Sequence, residues 1–109
     1  MFLKSAMTTL SKRIKEARLR VGLSQEQLGI RIGIDPASAS ARMNRYELGK
    51  RVPDLDLIER LAAELDLPAA FFYATGDDEA ELLAKFHQLK GREREAALTL
   101  ISELVDLRN

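Results

Sequence analysis

The most legible chemistry in this sequence lies in one stretch, Pro36–Leu48, which reads PASASARMNRYEL. Helical spacing sets Met43 and Tyr46 on one face, at i and i+3, and leaves the polar side chains pointing elsewhere. An arginine can pair bidentately with O6 and N7 of guanine, and an asparagine with N6 and N7 of adenine. A small residue such as alanine can sit against a thymine methyl. Ser40, Ala41, Arg42, Asn44 and Arg45 are therefore the candidate base-reading residues, with Arg42 and Arg45 the strongest. For Arg42 and Asn44 the alternative is a phosphate contact, which positions a duplex without specifying its sequence.

Catalytic chemistry has little to work with. The chain has no cysteine and a single histidine, His87, which reads as an interface or surface residue. No Gly-rich phosphate loop, metal-ligand spacing or nucleophile motif occurs, so the sequence implies no enzyme, no metal and no cofactor. Phe71, Phe72 and Tyr73 read as plugs of a core rather than a ligand cage.

Positioning the candidate residues requires two short helices and a tight turn. Ser24 is suited to N-cap the first helix, Gln25–Ile32, and Gln27 three residues later completes a capping box. Leu28 and Ile32 share a face, and Gly33 supplies the turn. Gly49 ends the second helix, and Val52-Pro53 prevents its continuation. SQEQL, the Gly33 turn and MNRYELGKRVP resemble the helix-turn-helix of the lambda-repressor and Cro-like (XRE) family, over roughly Leu10 to Phe72. One departure stands out: Gly33 and Glu47 are about four residues further apart than that family usually has them. Four residues make about 1.1 helical turns. IDPASAS therefore holds either an extra first turn beginning at Pro36, with Ala39 joining the buried face, or a longer loop with Ser38 as the cap.

The resemblance implies roles for further residues. Gln25 would touch a phosphate while orienting the recognition helix, and Lys50 and Arg51 would grip the DNA backbone from the loop after Gly49. Basic side chains of helix one, Arg13 among them, would reach phosphates, and Lys12, Arg13, Lys15 and Arg20 should stay in water. Arg18 would pair with Glu47. Gly29 stands where the family usually has alanine. It keeps the small size at a cost of up to about 1 kcal/mol of helix stability.

The net charge of zero conceals a strong polarity. Residues 1–53 carry 11 Lys plus Arg against 4 Asp plus Glu, and residues 54–109 carry 6 against 13, giving +7 and −7. A DNA-facing half and a solvent- or partner-facing half would show this; ordinary solvated faces are the alternative. No signal-like apolar run or stretch of transmembrane length is present, which reads as a cytoplasmic protein without membrane contact.

In chain order, residues 1–8 read as an N-terminal extension without fixed structure, and Met7 is a candidate initiator. Residues 9–75 make the DNA-binding domain, and 76–109 a C-terminal helical hairpin. Helix one should start near Thr9 or Ser11 and run to Val21, with Leu10, Ile14, Ala17 and Val21 as its apolar stripe. A fourth helix capped by Asp54 should bury Leu55, Ile58, Leu61, Ala62 and Leu65. A short fifth, AAFFYA, opens at Pro68. In the hairpin Leu82, Leu83, Phe86 and Leu89 form one apolar stripe and Ala97, Leu98, Ile101, Leu104 and Val105 another, and the two helices would either fold back on the domain or pair with a second copy. The expected fold is all-α, a five-helix repressor-like domain with a two-helix extension that pairs with a second copy. Its expected function is sequence-specific binding of double-stranded DNA as a dimeric repressor on a palindromic operator. An antitoxin-type module, whose acidic C-terminal helices cover a protein partner while the N-terminal half regulates its own promoter, is the main alternative. A pure interaction domain that has lost DNA binding is a third reading, against which the retained arginines argue.

Overall fold

The computed structural model describes residues 2–108, with side chains from residue 9 onward. Helices α1 (Phe2–Arg20), α2 (Gln25–Arg31), α3 (Pro36–Glu47) and α4 (Leu55–Leu65) are followed by a 3₁₀ helix (Ala69–Tyr73), then α5 (Asp77–Gln88) and α6 (Gly91–Asp106). No strand is present among the described residues.

Local signals account for most of these boundaries. The Ser24 hydroxyl accepts from the Gln27 N–H at 3.0 Å, and the Gln27 side chain accepts from the Ser24 N–H at 2.9 Å, closing the capping box that starts α2. Gly33 (φ +95°) ends α2, its N–H donating to Ile30 O while Ile34 N–H donates to Gly29 O. Gly49 (φ +73°) ends α3 in the same way, with Lys50 N–H donating to Arg45 O. Both positions sit in left-handed conformation, which a side chain would strain.

The extra residues between the helices form a helical turn. Asp35 caps α3 by accepting from the Ala37 N–H at 2.9 Å, Pro36 occupies the first turn, and Ala39 is buried beside Met43 and Tyr46. Of the two alternatives the sequence leaves open, the structure adopts the added turn.

The core gathers Leu10, Ile14 and Ala17 of α1, Leu28 of α2, Met43 and Tyr46 of α3, Ile58 and Leu61 of α4, and Phe71 and Phe72 of the 3₁₀ helix. Several expectations need correction. The α1 helix begins at Phe2 rather than near Thr9, and ends at Arg20, leaving Val21 exposed in the turn. Leu57 takes the buried place expected of Leu55, because Leu55 is the first residue of α4 and points to solvent. Tyr73 is exposed, unlike its two aromatic neighbours. Ala80 and Ala84 of α5 belong to the same core.

Gly91 starts α6, and no residue of α6 is buried. The Arg94 guanidinium lies 4.7 Å from the Phe86 ring centre and donates to Leu89 O, which holds the α5–α6 junction. Beyond it Leu98, Leu100, Ile101, Leu104 and Val105 are exposed.

Candidate nucleic-acid interface

The interface is built on α3, whose buried side is fixed by Ala39, Met43 and Tyr46. That anchoring turns Ser40, Ala41, Asn44 and Arg45 outward, all four exposed. Arg42 departs from its expected place. It is half-buried, its Nη2 donates to the Tyr46 hydroxyl at 2.8 Å, and its Nε is buried without a partner among the described residues. The side chain folds along α3, and the exposed reading set contracts to the other four residues.

A polar relay sets the angle of α3. Arg18 grips Glu47 bidentately, at 2.7 Å and 2.9 Å, and donates its remaining nitrogen to Leu23 O at 2.8 Å. Hydrogen bonding to Glu47 raises the Arg18 pKa above its ordinary value, against the opposing effect of burial. Glu47 also accepts from Gln25 Nε2 at 3.2 Å, and the same nitrogen donates to Asn44 Oδ1 at 3.2 Å. The expected Arg18–Glu47 pair is present, and Gln25 bonds to Glu47 and Asn44 in the C-terminal turn of α3. With both Nε2 hydrogens engaged, its side chain must release one bond to donate to a phosphate.

Beyond α3, the carbonyl of Arg45 receives the N–H groups of Lys50 and Arg51, which shapes the loop after Gly49. Both side chains are exposed on the recognition-helix end of the domain. Arg13, by contrast, is not available to a phosphate. It is 1% exposed, donates to Ala74 O at 2.9 Å and to Thr75 O at 3.5 Å, and pairs with Glu16 and Asp77 at 3.0 Å each. A sequence signal for this existed: Arg13 lies three residues after Leu10, on the apolar side of α1. Lys12 is exposed but bonded to Asp77 at 2.7 Å.

The model of the helix-turn-helix family designated HTH_3 matches residues 14–72, more than half of the chain. The chain belongs to the XRE-type helix-turn-helix family. Its α2 and α3 both fall within the matched segment. Among solved structures it is similar to that of the transcriptional regulator BswR, with 38% identity over 91% of this chain and 98% of that one, and a TM-score of 0.84. That coverage leaves about a tenth of the chain outside, so the likeness extends past the helix-turn-helix into the C-terminal helices. No curated protein matches the chain. Family and likeness together support a DNA-binding transcriptional regulator, a class typically without enzymatic activity. Among the described residues no group of side chains could hold a metal ion, and no helix is long and apolar enough to cross a membrane.

Proposed function

We propose that this protein is a sequence-specific repressor that binds a palindromic operator as a homodimer in the cytoplasm. The observation that carries the reading is the outward face of α3, Ser40, Ala41, Asn44 and Arg45, held at a fixed angle by the Arg18–Glu47–Gln25 relay. Arg45 and Asn44 would read bases in the major groove, with Ser40 and Ala41 beside them. Lys50, Arg51 and, after rearrangement, Gln25 would meet backbone phosphates. A single module reads few base pairs, and a two-fold dimer doubles the site. The unburied apolar face of α6 supports such pairing.

The test is a salt series of binding to the protein's own upstream DNA beside random DNA of equal length. Affinity should fall steeply with salt on both, and be higher on the upstream fragment. Arg45→Ala should lose about 1–3 kcal/mol on the operator and relax sequence preference. Lys50→Ala should weaken both DNAs alike. Equal losses on the two DNAs for Arg45→Ala would remove it from the base-reading set.

The same α6 face favours a second reading, in which the acidic C-terminal helices cover a protein partner, as in an antitoxin that regulates its own promoter. Stoichiometric co-purification of a small basic protein, with α6 protected from proteolysis in the complex, would displace the homodimer.

A further inference from the structure

Beside the recognition helix, between the α2–α3 turn and the first turns of α4, lies a polar cavity of about 320 Å³. Arg42, Tyr46, Arg51 and Arg60 line it, with Asp54 and Asp56. Both carboxylates are already engaged, Asp56 with Arg60 at 2.9 Å and Asp54 with the N–H of Leu57 at 2.9 Å. Arg42 and Arg51 have no ion-pair partner among the described residues. Each guanidinium carbon stands 5.9 Å from the Tyr46 ring centre. Arg42 Nε is buried and unbonded, a costly state for a charged donor. The Tyr46 hydroxyl accepts from Arg42 and keeps its own proton to donate.

From this geometry we infer a binding site for the phosphoryl group of a small anionic effector, held by Arg42 and Arg51 with the Tyr46 hydroxyl. Three arginines against two carboxylates leave the lining net positive, the sign that a phosphate monoester, about −1.5 to −2 at neutral pH, requires. Forked N–H donors suit its oxygens, and the volume falls within the range of small-molecule sites, about 300–1,000 Å³. Occupancy would draw Arg51 away from DNA, a consequence that rests on the backbone role proposed above. The effector would then weaken operator binding.

The experiment titrates DNA-free full-length protein with inorganic phosphate, following the arginine Nε–Hε signals by ¹⁵N NMR, with chloride at matched ionic strength as the control. The Arg42 and Arg51 signals should shift saturably with phosphate and not with chloride. Arg42→Gln and Arg51→Gln should each weaken phosphate binding about tenfold, whereas Arg94→Gln should not. Arg51 lies in an exposed loop, so its variant remains informative if Arg42→Gln fails to fold. A linear shift, or one equal in chloride, overturns the site. Shifts produced by a DNA duplex but not by phosphate also overturn it, assigning both arginines to the DNA backbone alone. In a parallel arm, phosphate at fixed ionic strength should weaken DNA binding by the wild type more than by Arg51→Gln; equal effects overturn the coupling. Loss of sequence preference in the salt series would leave the DNA-free titration untouched, so the two readings fail separately.

Discussion

Helices α3 and α6 both turn a face to solvent, for opposite physical reasons. On α3 the outward groups are mostly polar, while the opposite side is locked by Ala39, Met43 and Tyr46 and by the Arg18–Glu47 pair. On α6 the outward groups are leucine, isoleucine and valine, and nothing behind them is buried. The first helix is complete within one chain. The second leaves a contiguous apolar surface of the kind that marks an interaction site rather than a solvent face. On the function proposed above, one fold thus separates a finished reading element from an unfinished assembly element.

The sharpest way to break this contrast is Leu104→Asp. If the proposed homodimer forms through α6, sedimentation should show a dimeric wild type and a monomeric variant, and operator affinity should fall roughly 100-fold or more with the loss of bivalent engagement. Because Leu104 is exposed in the single chain, helical content should hold. A large loss of helix would place α6 against its own domain.

Next in size is Glu47→Ala. It leaves a nearly buried Arg18, its side chain 11% exposed, without its carboxylate, and breaking such a pair costs about 3–5 kcal/mol. Urea unfolding measures it, and a loss below about 1 kcal/mol would reduce the relay to a surface contact.

Gly29→Ala reverses a sequence-based expectation. Helix propensity favours alanine, but an added Cβ would stand 2.9 Å from Ala39 Cβ and 3.1 Å from Met43 Cγ. The α2–α3 approach should resist it, at a cost of about 1–3 kcal/mol. A stabilised variant would mean that the two helices separate freely.

The smallest effect concerns Asp77. Hydrogen bonds from Lys12 and then Arg13 hold its carboxyl below the ordinary aspartate range. A carboxylate that is harder to protonate when folded adds stability above the unfolded value, about 3.9. That contribution is lost as pH falls through the lower, folded value. In Asp77→Asn, unfolding midpoints measured from about pH 5 down to pH 2 should lose part of their acid dependence. The side chain is 75% exposed, which keeps the difference small.

What the sequence discloses divides along locality. Ser24 with Gln27, Gly33, Pro36 and Gly49 act on neighbouring backbone, and the helix boundaries they imply are close to those observed. The interior face of α1 was legible as far as Leu10, Ile14 and Ala17. Arg13 shares that side of α1, but the carbonyl that receives its guanidinium arrives 61 residues later at Ala74. For Arg42, helical spacing gives the direction of its Cβ, while Tyr46, Arg51 and the start of α4 surround its guanidinium. Gly29 is intelligible once the added turn brings Ala39 against it. For α6 the apolar stripe was plain, but periodicity carries no information about which surface answers it.

The clasp between Arg13 and the stretch from Ala74 to Asp77 bears on how this protein can be divided. Composition draws a natural cutting line at residue 75, where the family segment has just ended. A fragment trimmed there would lose Asp77, two of the alanines that fill the core, and the covering that keeps a guanidinium dry. The reading head is therefore not a detachable cassette. A graft that carries it onto another protein keeps its shape when the cut falls after α5, at the Leu89–Lys90 joint.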